Sequence, residues 1–209
     1  MELSATIVLI GITVLTSYQA WKKPSMIDRW MFTPFMIKKY KQWDRFVLSG
    51  LMHKDQMHLL FNMFTFYFFG RVVEMFLMYR LGKSFGLFAF VLFYIGAIIV
   101  SDLPTYFKHK ENYQYRALGA SGGVAAAVFA SIMIMPLSDI CLFGLLCLPG
   151  FVLGLLFLIY TIVQARRGGD GINHDAHLYG ALFGIIIVLL ISPQSGLQFL
   201  DQIKSFRPF

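Results

Sequence analysis

The residues able to do chemistry in this sequence are few: five histidines, a serine set among glycines, and an asparagine placed one helical turn after a histidine. Ser121 lies in Leu118-Gly119-Ala120-Ser121-Gly122-Gly123-Val124, and His177 precedes Gly180 and Gly184 at i+3 and i+7. A serine hydroxyl beside a histidine is a weak nucleophile beside a general base, the minimum for acyl transfer. His58 and Asn62 are four apart and project from one face of a helix, as do His177, Gly180 and Gly184. With the Ser121 amide, His58 and Asn62 could donate to a developing oxyanion, each donor contributing roughly 2.7–4 kcal/mol in a dry site.

Blander readings exist for each residue. Gly180-x-x-x-Gly184 is a common small-residue pattern for helix contact. Ser121 alone fits a packing residue with its hydroxyl bonded back to the helix. His53 fits a structural hydrogen-bonder as well as a site residue, and His109 between two lysines fits a solvated loop. Arg71 and Glu74, three apart, fit a structural pair. Gly119-x-Ser121-x-Gly123 also matches the nucleophile elbow of soluble hydrolases, but that motif needs a preceding strand in an α/β sheet, which this chain does not offer.

The elements that must position these residues are membrane helices. Of 209 residues, 57% are hydrophobic and only 14% charged, with mean hydropathy +0.65, an integral membrane composition. The formal charge of +7 is better matched by basic loops on anionic lipid headgroups than by a nucleic-acid partner. Apolar runs predict six crossings, near residues 3–20, 57–79, 84–101, 117–135, 149–165 and 174–192, with Pro149 opening the fifth. The expectation is an all-α polytopic membrane protein, one six-helix domain over residues 1–209 without a separate soluble domain. Residues 21–54, rich in aromatics and basic residues, form a first loop expected to lie partly folded in the headgroup layer. Residues 102–116 read as a polar loop and 140–148 as interfacial. Cys141 and Cys147 read as small apolar core residues rather than a disulfide or metal pair. Alternating helices bring the starts of the second, fourth and sixth crossings to one side of the membrane. His53/His58/Asn62, Ser121 and His174/His177 then share one face at similar depth, where polar groups are costly and functional by default.

These residues resemble a rhomboid intramembrane serine protease over about residues 45–192. Gly119-Ala120-Ser121-Gly122 resembles that family's G-x-S-G motif. Ala176-His177-Leu178-Tyr179-Gly180-Ala181-Leu182-Phe183-Gly184 resembles its A-H-x-x-G-x-x-x-G helix, and His53 through Asn62 its H-x-x-x-x-H-x-x-x-N element. Trp43 and Arg45 resemble the tryptophan-arginine motif of its first loop. The resemblance implies a Ser121–His177 dyad and an oxyanion site from the Ser121 amide, His58 and Asn62. Gly119, Gly122, Gly180, Gly184, His53, Trp43 and Arg45 would support it. It implies cleavage of transmembrane protein substrates in or near their helices, with no cofactor and no metal, from within a lipid bilayer, here the bacterial inner membrane. Some members carry a tyrosine four residues after the serine; here Ala125 stands there, and Phe129 or another aromatic would have to support the His177 ring. Family topology also puts the serine's mouth outside, on the side holding most of the 18 Lys and Arg, while Arg80, Lys83, Lys204 and Arg207 lie on the other. That runs against the positive-inside rule. The alternatives are a membrane metal- or haem-binding protein using His53, His58, His174 and His177, and a catalytically silent relative that binds helices without cutting them.

Overall fold

In an apolar medium every backbone N–H and C=O must be bonded within the protein, so long apolar runs become helices. The computed structural model describes residues 4–142 and 145–207. Helix α1 (Ala5–Lys22) leads into a first loop folded as α2 (Pro24–Trp30), α3 (Pro34–Tyr40), α4 (Arg45–Leu48) and a 3-10 turn (Ser49–Leu51). Pro24 and Pro34 open α2 and α3 at positions where a missing N–H costs nothing. Long helices α5 (Gln56–Leu81) and α6 (Lys83–His109) follow, then α7 (Ser121–Ile134). A hairpin of β1 (Asp139–Leu142) and β2 (Leu146–Pro149) leads to α8 (Gly150–Arg167), α9 (His174–Ile191) and α10 (Gln194–Ser205).

Among the described residues, α5, α6, α8 and α9 are long and apolar enough to cross a membrane, and α7 is a shorter apolar helix. The chain is an all-α polytopic membrane bundle. Of the six expected crossings, α1 falls short of the same apolarity because its last turns carry Tyr18, Gln19 and Lys22. Helix α7 is the centre. Nearly all of it from Gly122 to Met133 is buried, enclosed by α5, α6 and α9.

Four expectations need correction. Cys141 and Cys147 are joined in a disulfide, because the antiparallel register of β1 and β2 sets them directly opposite one another. Pro149 ends β2 and precedes α8 as its N-cap rather than opening the helix. The supposed polar loop is largely helix, since α6 continues through Pro104 to His109, whose ring stacks on Tyr115 at 3.9 Å. Glu74 does not pair with Arg71. Its carboxylate caps the start of α1, accepting from Ser4 Oγ (2.6 Å), Thr6 Oγ1 (2.6 Å), Ala5 N (2.9 Å) and Thr6 N (3.1 Å). A buried acid is stable there because four donors and the positive end of a helix replace its water.

Candidate active site

Ser121 is the first residue of α7, and the segment before it is held from outside. Phe32 and Ala117 exchange backbone hydrogen bonds of 2.9 and 3.0 Å, and Gly119 N–H donates to the Ser49 carbonyl at 3.0 Å. The first loop can do this because buried Arg45 pins it. Its Nη1 donates to the Met31 and Asp28 carbonyls (2.6 and 3.0 Å), and its Nε donates to Gln42 Oε1 (2.7 Å). Trp43 is half exposed and rests against Tyr106 and Phe46, with ring centroids at 5.8 and 6.4 Å.

His53 fixes the next residue. Ala120 N–H donates to His53 Nε2 at 3.4 Å, so the proton belongs on Nδ1, which donates to Ser17 Oγ at 3.2 Å. Trp21 Nε1 donates to the His53 carbonyl at 2.7 Å, which latches the end of α1 to the same residue. Burial, and then the neighbouring His58, push the His53 pKa down to about 3. His53 is therefore a neutral structural hydrogen-bonder that ties α1 to the segment before Ser121.

His58 and His177 each lie in the first turn of a capped helix. Asp55 accepts from His58 N–H at 2.8 Å at the start of α5, and Asn173 Oδ1 accepts from Ala176 N–H at 3.1 Å at the start of α9. Helix α7 differs: no side chain caps it, and Ala120 is its N-cap. Its first amides, Ser121 N–H included, are free of helical partners and point toward where an anion would sit. Gly119 has φ +124°, and a Cβ there would lie 2.5 Å from His58 Cε1, so only glycine admits the His58 ring.

Helices α7 and α9 meet backbone to backbone. A Cβ on Gly180 would collide with the Gly122 carbonyl, and one on Gly184 with the Ala126 carbonyl. That contact sets Ser121, just before Gly122, beside the turn of α9 carrying His177. Both side chains are half buried. Among the described residues no hydrogen bond joins Ser121 to His177, and Asn62 Nδ2 is turned back onto the His58 carbonyl at 2.8 Å. The aromatic facing His177 is neither at position 125 nor Phe129 but Phe157 of α8, with ring centroids 6.1 Å apart; Phe129 lies behind it at 5.8 Å from Phe157. On the other side His174 packs edge-on to His177 at 5.8 Å, with its Nε2 2.7 Å from Asp170 Oδ2. That hydrogen bond holds the Asp170 carboxyl below the usual range.

Among the described residues no set of three or more His, Cys, Asp or Glu could hold a metal ion. At 14 residues α7 spans about 21 Å, less than the ~30 Å hydrocarbon core.

Comparisons bear on the same region. The Rhomboid domain profile matches residues 40–194. "Rhomboid-like protein 11, chloroplastic" of Arabidopsis thaliana is 26% identical over 171 residues, covering 76% of this chain and 56% of the relative. "RHOMBOID-like protein 12, mitochondrial" of the same plant is 23% identical over 187 residues, covering 86% and 55%. The Bacillus subtilis protein named "Putative rhomboid protease YdcA" is 27% identical over 155 residues, covering 71% and 67%. The chain thus spans about half the length of the two plant relatives. The matched stretch begins just before Trp43 and Arg45 and ends just after α9, enclosing the helix starts that carry His58, Ser121 and His177, and the chain belongs to the rhomboid family.

Proposed function

We propose that the chain is an intramembrane serine endopeptidase acting on transmembrane segments of other proteins, with Ser121 as nucleophile and His177 as general base. The observation that carries this is the uncapped start of α7, where Ser121 and its free amide lie against the His177 turn through the Gly122–Gly180 contact. Ser121 Oγ attacks the scissile carbonyl while His177 takes its proton. The oxyanion is met by the Ser121 amide and the His58 ring, joined by Asn62 once its amide leaves the His58 carbonyl. His177 then returns the proton to the leaving amine, and water cleaves the acyl-enzyme by the same route in reverse. Membership of the rhomboid family supports the reaction class. On the same reading the membrane is the bacterial inner (cell) membrane; two of the relatives are plant proteins with chloroplast and mitochondrial names.

The test is cleavage of a model single-span substrate in detergent, together with fluorophosphonate labelling. Wild type cleaves and labels at Ser121. Ser121→Ala does neither, and His177→Ala loses labelling by a factor of order 10³ or more. Cleavage persisting in Ser121→Ala would overturn the reading. A folded wild type that neither cleaves nor labels would point to a helix-binding relative instead.

A further inference from the structure

Three side chains on one stripe of α6, at i, i+3 and i+6, face the first turn of α9 and its cap. Asp102 Oδ1 accepts from Asn173 Nδ2 at 3.1 Å. Thr105 Oγ1 donates to Asn173 Oδ1 at 2.8 Å. Lys108 Nζ meets Asp175 Oδ2 at 2.9 Å. Asn173 is therefore held from two directions. Its oxygen takes two donors, Thr105 and the Ala176 amide, which leaves its NH2 needing an acceptor, and Asp102 supplies one. The Asn173 carbonyl in turn accepts from His177 N–H at 3.3 Å. Asp102, Asn173 and Ser121 line one small cavity, so a carboxylate stands close to the site without belonging to the Ser–His pair.

We propose that Asp102 and Thr105 are positioning residues that set the His177 ring through Asn173. This rests on the protease reading above. The glycine contact fixes how closely α9 approaches α7, but two smooth small-residue surfaces leave rotation and sliding open. The polar clamp from α6 removes that freedom at the one turn where it matters. Without Asp102 the Asn173 amide loses its acceptor and can rotate out of the cap, freeing the first turn of α9. A displacement of about 1 Å at a general base can cost up to 10²-fold in rate.

The test uses the purified full chain in detergent with Asp102→Ala, Thr105→Val, Asn173→Asp and the exchange Asp102→Asn/Asn173→Asp. Asp102→Ala is expected to lower kcat at least about tenfold with KM little changed, and Thr105→Val to do so less. Asn173→Asp keeps the cap but sets its carboxylate against that of Asp102, and the exchange restores a donor–acceptor pair of reversed polarity, recovering most of the lost rate. Backbone hydrogen exchange at Ala176 and His177 reports the clamp without any activity: faster in Asp102→Ala, restored in the exchange variant. Unchanged exchange and kcat in Asp102→Ala, or an exchange variant no better than Asn173→Asp, would overturn the proposal. If wild type fails to cleave or label, the protease reading falls, and hydrogen exchange still decides the clamp. Should Asp102→Ala not fold, Thr105→Val against Asn173→Asp and the exchange variant decides it in the same way.

Discussion

Helix α9 treats its two neighbours in opposite ways. Against α7 it presents Gly180 and Gly184, and the two backbones touch with no room for a Cβ. Against α8 it presents larger side chains, and α8 itself buries only Gly150, Gly154 and Thr161, leaving Leu155, Leu156, Ile159 and Tyr160 more than half exposed to the surroundings. In lipid there is no hydrophobic force between helices, so association rests on close van der Waals contact. Helix α7 has that contact along its whole length and α8 has it along one edge. The difference separates two tasks. On the proposed reading, chemistry needs Ser121 and His177 held closely; the glycine contact sets how near α9 comes to α7, and the clamp from α6 fixes its turn. On the same reading, access needs an element that can yield at low cost, and α8, which supplies Phe157 beside His177, is the least buried of the four membrane-length helices.

The comparison breaks first at its tight side. Gly180→Leu drives a side chain into the Gly122 carbonyl and is expected to cost roughly 3 kcal/mol or more, seen as loss of folded protein by thermal unfolding in detergent. A mid-sized effect sits at the latch beneath it. His53 has its folded pKa lowered to about 3 from the ordinary 6.5. The unfolded chain therefore binds the proton first, and the contribution of His53 is full above about pH 6.5 and shrinks as pH falls toward 3. Wild type should lose thermal stability between about pH 7 and 5, and His53→Gln, which has no proton to gain, should lose less over the same range. Equal slopes would remove His53 as the source. The smallest effect belongs to the loose side. Leu155→Ala, on the exposed face of α8, should change stability by no more than about 0.5 kcal/mol, and a cost near that of Gly180→Leu would erase the contrast.

Helices and the clustering of polar helix starts were legible because both signals are local. Apolar runs set the crossings, and spacings of three and four set the faces. What stayed hidden depends on partners far along the chain. Asp102 and Asn173 are 71 residues apart, and nothing in either neighbourhood marks them as a pair. Glu74 looks like half of a local ion pair with Arg71, yet its partners lie about 70 residues earlier at the start of α1. Position 125 holds alanine, so the search for a ring beside His177 stays open in sequence; the structure fills the place from α8 with Phe157. Cys141 and Cys147 sit in a run as apolar as the helices around it, and only the turn into a hairpin sets them face to face.

That hairpin lies at the end of α7 remote from Ser121, which makes its sulfur pair a natural reporter of sidedness. Disulfides persist in oxidising compartments and are kept open by the thiol pools of the cytosol. An intact Cys141–Cys147 bond in protein taken directly from cells therefore puts the hairpin on the oxidising side and Ser121 toward the reducing one. Two free thiols mean the reverse. One alkylation measurement thus assigns the direction in which the serine opens, a matter on which the basic loops and the family topology pull in opposite senses.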